Sequence, residues 1–188
     1  MMSRLLLAAA LLAMPASADA ADWTVDAARS RLGFSGTQVG VPFTGRFKRF
    51  EAEIAFDPAA PEAGHAVVTI DLSSAETGDI QRDEALPQAD WFAAKTTPQA
   101  RFEAVRFVPK GGDAYEAVGK LTIRGISRDA TLPFRLVLAG DGARATGHLD
   151  LVRTDFGVGQ GPWASGQWVA LEVGVDVDLV ANRKGPAR

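Results

Sequence analysis

A strict alternation of apolar and polar residues near the carboxyl end constrains the fold more than any other feature of the sequence. In Val169–Leu179 every odd-numbered residue is aliphatic, and every even-numbered residue is small or acidic. Successive side chains of a β-strand point to opposite faces, so this period of two predicts a strand with one dry face and one wet face. A helix, with its period of 3.6, would mix the two sets of side chains. An antiparallel strand that covers a core on one side is therefore predicted.

Shorter runs with the same period fill much of the remaining chain. They lie over residues 31–37, 44–50, 52–57, 66–72, 100–107, 115–123, 129–138 and 145–152. Residues that accept turn dihedrals separate several of these runs, at Asp57-Pro58, at 110–113 and at 140–142. About eight or nine antiparallel strands joined by hairpins are typical of an up-and-down barrel or a sandwich. The predicted fold class is mainly β.

The segment from Thr77 to Thr97 interrupts the alternation. Asp79 and Asp90 each precede a short run with helical character, and Pro98 ends the second run, so two short helical turns with aspartate caps are predicted. A hairpin needs a much shorter connection. The excursion is predicted to form a lid over a barrel mouth, or alternatively to cover an exposed strand edge.

The amino-terminal residues have the three-part layout of a secretory signal. Arg4 supplies a positive charge, residues 5–14 form an unbroken apolar run, and Pro15 precedes small residues that fit cleavage after Ala18 or Ala20. The apolar run is too short to span a bilayer as a helix, which takes about 20 residues. We therefore expect an exported protein that does not span the membrane.

This interpretation sets the predicted domain boundaries. Residues 1–20 are the signal peptide, and 21–181 form one domain of ordinary size. Residues 182–188 are polar and break the alternation, so they are predicted to form a flexible tail.

Composition excludes several classes of function. The chain has no cysteine, which excludes thiol catalysis, thiolate metal sites and disulfides, and its formal charge of −3 argues against nucleic acid as a partner. His65 and His148 have no second metal ligand nearby in sequence, and no Gly-x-Ser-x-Gly elbow is present. Glu172, Asp176 and Asp178, spaced by two, fit a solvated strand face better than a calcium site. Neither catalytic residues nor a metal site are predicted.

What remains is a large set of apolar residues on the predicted dry faces. A solid core explains most of them, but a barrel of about eight strands can also keep a lumen for one ligand. Small residues at presumed inward positions are expected to leave space for it, namely Gly45, Ala104, Ala117, Gly119 and Gly147. The residues predicted to line the lumen and contact a ligand are Phe34, Phe47, Phe56, Ile70, Phe102, Leu121, Phe134, Leu149 and Val173.

Short motifs follow one another along the chain in a characteristic order. They are Gly45-Arg46-Phe47 and residues 54–58, 70–72, 77–78, 82–83, 90–92, 98–102, 119–126 and 155–157. Taken together, they resemble the YceI-like lipid-binding family, and the resemblance runs from about Trp23 to Leu179. Where members of that family often have histidines, this chain has Ala85 and a residue near Gln38.

The resemblance implies a lipocalin-like antiparallel barrel in the bacterial periplasm, whose lumen holds a polyisoprenoid chain such as that of a quinone or polyprenol. It implies no catalytic residues and no cofactor apart from the bound lipid. Arg82 and Asp83 are expected either to form an ion pair that fixes the lid or to contact the ligand's head group. The complete set of predicted lid and rim residues is Arg82, Asp83, Leu86, Trp91, Phe92 and Phe156.

A further likeness concerns partners. Residues 161–169 resemble family members associated with membrane-bound cytochromes b, which predicts a redox setting and a quinone-like ligand. Two other functions stay open: a ligand-free envelope module that docks to a membrane cytochrome b, and an enzyme that modifies a lipid inside the barrel. The sequence also leaves open the oligomeric state, a dimer included, and the ligand's chain length and head group.

Overall fold

The structure, a computed structural model, describes residues 21–185. The predicted signal peptide and residues 186–188 of the predicted tail lie outside the described residues. In this part of the chain no helix is both long enough and apolar enough to cross a bilayer. Besides four short 3-10 helices, residues 21–185 contain one α-helix, α1 (Ile80–Ala85), and eleven strands: β1 (Asp22–Val25), β2 (Arg31–Gln38), β3 (Val41–Phe47), β4 (Phe50–Ala55), β5 (His65–Asp71), β6 (Ala75–Glu76), β7 (Gln99–Gly111), β8 (Ala114–Ile123), β9 (Ile126–Ala139), β10 (Gly142–Val152) and β11 (Glu172–Arg183).

Eight of these strands form a closed antiparallel ring. Neighbours around the ring follow the order β1-β4-β5-β7-β8-β9-β10-β11, and β1 closes the ring by pairing with the end of β11, where Trp23 faces Arg183. The strands β2, β3 and β6 extend the wall at one end, since β2 pairs with the first half of β11 and with β3, and β3 pairs with β6. The predicted antiparallel barrel of about eight strands is confirmed.

The connections give the barrel two distinct ends. The lid end carries the β2–β3 turn at Val39-Gly40, the lid segment Thr77–Pro98 between β6 and β7, and the loop 153–171 between β10 and β11. The opposite end, the floor, carries the β4–β5, β7–β8 and β9–β10 connections. The three turns predicted from glycine, proline and aspartate all lie at the floor, as antiparallel hairpins require.

The first half of the wall differs from the sequence prediction. β1 was not predicted, because four residues are too few to establish a period. The predicted boundary at residue 51 is wrong, since the break between β3 and β4 falls at Lys48-Arg49. The buried Ser74 sets this break: its hydroxyl accepts the N–H of Arg49 at 3.1 Å, and its carbonyl accepts the N–H of Lys48 at 3.1 Å. Long-range pairing of this kind has no signature in local alternation.

Two further predicted boundaries are corrected by the backbone. The predicted strand Val169–Leu179 begins only at Glu172, because residues 169–171 belong to the loop before β11. At its other end β11 continues through Asn182 and Arg183, so the predicted tail begins two residues too early; both residues pair in the ladder despite their polarity. The aspartate cap of α1 is confirmed, since the Asp79 carboxylate accepts the N–H of Arg82 at 3.0 Å. The second predicted helical turn is wrong. Asp90 caps no helix, and residues 86–98 form successive turns instead.

Candidate functional site: an apolar lumen

The barrel encloses a cavity of about 250 Å³. Of the residues that line it, all but Ser35 and Arg153 are apolar. Every strand of the ring contributes, because the dry face of each strand points inward. The nine residues predicted for the lumen wall all line this cavity: Phe34, Phe47, Phe56, Ile70, Phe102, Leu121, Phe134, Leu149 and Val173.

The wall residues are packed unevenly along the barrel. Two buried clusters fill its ends, one around Leu72, Phe92 and Phe156 at the lid end and one around Trp23 and Phe107 at the floor. Several apolar wall residues belong to neither cluster. They are Phe43, Ala145, Leu149, Val169, Val173 and Leu179.

The small residues predicted to create this space mostly serve another purpose. Only Ala117 of the five lines the cavity. A Cβ on Gly45 would lie 2.3 Å from the ring of Phe34, and one on Gly119 would lie 1.9 Å from the carbonyl oxygen of Glu103. These glycines accommodate a neighbouring ring or strand, so that part of the prediction is wrong. The cavity is instead the volume that the inward-facing apolar side chains leave unfilled.

Aromatic rings close the floor. Phe56 meets Phe107 edge-on with ring centroids 4.9 Å apart, and it meets Tyr115 at 5.5 Å in the same manner. Phe134 completes the group, at 5.9 Å from Phe107 and 5.6 Å from Tyr115. The buried Trp23 donates its indole N–H to the carbonyl of Phe56 at 2.9 Å. Edge-to-face pairs of this kind add about 0.5–1.5 kcal/mol each to the apolar burial.

The lid segment closes the opposite end with apolar side chains. Leu86 and Phe92 of the lid segment are buried and line the cavity. Trp91 of the same segment and Phe156 of the 153–171 loop also line it. The ring of Phe92 lies 5.9 Å from that of Phe47 on the barrel wall. These four predicted lid residues therefore lie where the sequence placed them. The alternative that the excursion only covers a strand edge is wrong, because its side chains enter the mouth.

A buried arginine that the sequence prediction missed organises the lid end. Arg153 is only 3% exposed, and no carboxylate pairs with it in the described residues. Its guanidinium donates to the carbonyl oxygens of Val158, Gly159, Trp163, Val169 and Ala170. It also lies 5.3 Å from the ring centroid of Trp91, and burial lowers its pKa. Arginine presents five donors in a fixed fork, which suits several carbonyls at once.

Gly159 shows how closely this loop fits around the arginine. Its φ of +81° is left-handed, and a Cβ there would lie 1.8 Å from Nη1 of Arg153. The glycine at position 159 is thus explained by its fit around one side chain. A sequence pattern of glycines shows that the backbone is unusual, but it does not show which group the backbone surrounds.

Further polar contacts join the lid segment to the barrel. Arg124, in the β8–β9 turn, donates to the carbonyl oxygens of Ala89, at 2.6 Å, and of Trp91. The carbonyl oxygen of Asp90 accepts the N–H groups of Gly159 and Gln160, both at 2.8 Å. The lid segment is therefore attached both by these backbone carbonyls and by its buried side chains Leu86 and Phe92.

Arg82 and Asp83 behave differently from either prediction. Asp83 accepts the N–H and hydroxyl of Thr77, both at 2.7 Å, and the N–H of Gly78 at 3.3 Å. Burial raises the pKa of Asp83, but these hydrogen bonds outweigh it and lower the pKa below the ordinary value. Arg82 instead donates to Gln38 at 2.8 Å. The predicted ion pair is wrong because neighbours on a helix point about 100° apart.

Neither residue of this pair lines the cavity. The Arg82 guanidinium lies 4.7 Å from the ring centroid of Phe43, which is itself part of the wall. Arg82 therefore fixes α1 to the β2–β3 hairpin from outside the lumen. Direct contact with a ligand head group inside the cavity does not fit this position.

The outer face carries the remaining ionisable candidates. His148 lies between Asp176, at 2.7 Å from Nδ1, and Asp150, at 3.1 Å from Nε2. Its hydrogen bonds to these two carboxylates raise its pKa. Asp178 is paired with Arg144 at 2.6 Å. The acids of β11 therefore lie on the solvated face that the alternation predicts.

A closed antiparallel ring around a dry cavity, sealed by rings at one end and by a separate segment at the other, defines the class of lipocalin-like β-barrels. Within that class, residues 23–181 match the model of the YceI-like domain, and the chain belongs to the YceI-like family. The resemblance inferred from the order of short motifs is confirmed.

Relatives in sequence and structure agree with this assignment. BcnA of Burkholderia cenocepacia is 39% identical, with a TM-score of 0.82 over 84% of this chain and 99% of BcnA. Protein YceI of Escherichia coli O157:H7 is 32% identical over 164 residues, 79% of this chain and 85% of that relative. A polyisoprenoid-binding domain from Saccharophagus degradans shares the fold at 20% identity, with a TM-score of 0.67 over 86% and 98% of the two chains.

Proposed function

We propose that this protein binds a long-chain isoprenoid, of the quinone or polyprenol kind, inside the barrel and catalyses no reaction on it. The observation that carries the proposal is the cavity wall, which is apolar at every position except Ser35 and Arg153. Burial of one CH₂ is worth about 0.8 kcal/mol, so each five-carbon unit contributes on the order of 3 to 4 kcal/mol before association costs. A chain of a few isoprene units is therefore retained in the cavity without any ion pair to the protein.

The polar groups of the wall support a ligand with a neutral head. All the donor directions of Arg153 are taken by backbone carbonyls, so its guanidinium is committed to the loop. An anionic head group inside the lumen would lose its hydration and find no free partner there. A quinone ring or an alcohol loses far less on entering such a site.

The lid end is the proposed entrance. The floor consists of rings that pack against one another and against Trp23, so it opens only if the barrel itself unfolds. The lid segment belongs to no strand pair, so the strand ladders stay intact when it moves. Release of the ligand then needs the separation of residues 77–98 from the 153–171 loop, from the β8–β9 turn and from the barrel wall.

The comparisons favour a binding role over the two other functions. A solved domain of this fold is a polyisoprenoid-binding domain. The cavity of this protein is not filled by side chains, whereas a ligand-free docking module would need no open cavity. Export to the periplasm as a carrier or store, and a redox partner such as a membrane cytochrome b, belong to the proposal. They derive from the signal-like amino terminus and the 161–169 motif.

The decisive experiment is to identify the cargo. We expect organic extraction of the protein purified from its native host, followed by mass spectrometry, to yield a prenyl lipid in near-stoichiometric amount. The protein stripped of that lipid should take up a short-chain ubiquinone analogue. Absence of any prenyl lipid, together with failure of uptake, would refute the proposal.

A matched pair of variants links the cargo to the lumen. Ala145→Phe places a ring in the open volume, whereas Thr146→Phe places the same ring on the outer face of the same strand. We expect Ala145→Phe to fold and to lose most of its prenyl lipid, and Thr146→Phe to retain it. Equal lipid content in both variants would mean that the lipid binds elsewhere.

A further inference from the structure

The dry face of β3 continues out of the barrel. Phe47 and Phe43 lie on this face and line the cavity, and Val41 follows at the same period of two. Val41 is 65% exposed, because the β2–β3 hairpin extends past the mouth. The apolar surface of the lumen is therefore continuous with an exposed apolar surface outside it.

Two other elements bring exposed apolar side chains to the same place. Val39, at the hairpin tip, is 65% exposed, and its N–H donates at 2.8 Å to the carbonyl of Trp168, which is 49% exposed. Ile80 is 76% exposed at the start of α1, the helix that Arg82 fastens to Gln38. We call Val39, Val41, Ile80 and Trp168 the rim patch.

The backbone at Val39 is unusual for a valine. Its φ is +50°, and Gly40 follows at +77°, a geometry in which asparagine or glycine is favoured and a β-branched residue is strained. The β8–β9 turn at the same end has nearly the same pair of angles, and there the first residue is the polar Arg124. An apolar side chain in water at a strained position suggests that Val39 serves a contact outside the folded chain.

The charged groups beside the rim patch are mostly acidic, since Arg82 is outnumbered on α1 by Asp79 and Asp83, and Asp150 and Glu172 lie beside the β2–β3 hairpin. Arg82 lies 3.8 Å from Asp79, and Asp83 follows it on the same helix. An anionic partner would find no excess of positive charge here. The chemistry of the patch, three aliphatic side chains and one tryptophan, is the kind that enters the interfacial layer of a bilayer.

We propose that the rim patch docks the barrel on the surface of a lipid bilayer, with the mouth facing the membrane. This inference rests on the proposed function. An isoprenoid is nearly insoluble in water, so a carrier must collect and deliver it at a place where the cavity and the bilayer form one continuous apolar path. Phe43 connects that path to the cavity wall. Attachment is by apolar insertion and does not depend on anionic lipid.

Flotation with phosphatidylcholine vesicles tests the proposal. The test variant is V39N/V41T/W168Q, which keeps the turn and strand preferences while removing apolar surface. The control is V105T/V137T, which changes two side chains that are 70% and 60% exposed but lie away from the mouth. We expect the wild type and the control to float, and the test variant to lose about tenfold or more in partition coefficient.

The composition of the vesicles separates apolar docking from electrostatic attraction. Addition of phosphatidylglycerol or of salt should change the wild-type partition little. Three results would overturn the proposal: no binding of the wild type to either vesicle, binding only to the anionic vesicle, or an equal loss in the control variant.

The lipid content of the same preparations distinguishes failure of this inference from failure of the proposed function. The test variant should still retain prenyl lipid delivered in detergent, because none of its three positions lines the cavity. It should take up that lipid more slowly from vesicles. Normal lipid content combined with unimpaired vesicle binding of the test variant would reject the docking surface and leave the carrier function standing.

Discussion

The two ends of the barrel are closed by different chemistry. At the floor, Phe56 and its neighbouring rings pack edge-on, and Trp23 joins them through one hydrogen bond. At the lid end, the buried Arg153 and the turn residue Arg124 hold loops through backbone carbonyls. Ring packing alone closes the floor, whereas the lid end combines buried side chains such as Phe92 and Phe156 with carbonyl anchors between loops.

This difference assigns separate roles to the two ends. Loss of a floor ring removes packing that the whole strand ladder shares, so it lowers global stability. Loss of a lid anchor releases a segment without breaking any strand pair, so it changes local opening and ligand retention. Stability and exchange of the cargo are therefore expected to respond to different substitutions.

The largest effect is expected at the floor. Phe56→Ala removes a ring that packs on two others and leaves a cavity, which costs about 3–5 kcal/mol of unfolding free energy. Chemical denaturation followed by tryptophan fluorescence measures this loss. Val137→Ala, at an exposed position, is the control and should change stability by less than about 0.5 kcal/mol.

Arg153→Met is expected to lower the free energy of local opening at the lid end by about 3 kcal/mol. The substitution keeps the length of the side chain but leaves five carbonyl oxygens without their donor. Hydrogen exchange should accelerate in residues 153–171 and not in β7 to β9. Arg153→Lys retains the charge without the forked donors of the guanidinium, so an intermediate effect is expected. A loss of exchange protection spread evenly over the barrel would contradict the distinction between the ends.

An intermediate effect is expected for Trp91→Ala. Trp91 is half-buried, lines the cavity and lies 5.6 Å from Trp163 in ring-centroid distance. Its removal should cost about 1–2 kcal/mol of stability but should raise the rate of ligand release about tenfold or more, since it opens the mouth. Release to excess acceptor vesicles measures the second quantity. Equal losses in folding and retention would make Trp91 a structural plug.

A smaller effect that depends on pH is expected for Asp83→Asn, about 1–2 kcal/mol at neutral pH. The folded-state pKa of Asp83 is lowered below the ordinary 3.8, so its contribution is complete above the unfolded-state pKa and disappears as the pH falls through the folded-state pKa. Unfolding curves of wild type and variant should differ at neutral pH and converge in strong acid. A difference that persists in acid would mean that the Thr77 contacts do not depend on the charge.

The smallest effect is a gain. Val39→Asn should raise stability by about 1 kcal/mol, because asparagine accepts the left-handed conformation that strains valine. Thermal unfolding measures it. A decrease would show that Val39 makes a packing contact in the folded chain, and it would weaken the argument for the rim patch.

Local patterns predict the barrel wall and fail where distant residues decide the structure. Phe102 and Leu121 follow from alternation alone, because a period of two determines which face each side chain occupies. Arg153 does not follow, since its five acceptors come from residues 158–170 and depend on the path of a loop. Arg82 and Asp83 were paired because they are adjacent in sequence, yet their actual partners, Gln38 and Thr77, are set by packing of the helix.

The most direct test of the account is to lock each end of the barrel in turn. The chain has no cysteine, so Asp90→Cys with Gln160→Cys ties the lid segment to the 153–171 loop, and Thr24→Cys with Asn182→Cys ties two strands that face each other at the floor. We predict that oxidation of the lid pair slows isoprenoid uptake about tenfold or more and that reduction restores it, while the floor pair has no effect. Unimpaired uptake by the oxidised lid pair, or a block by the floor pair, would contradict the account.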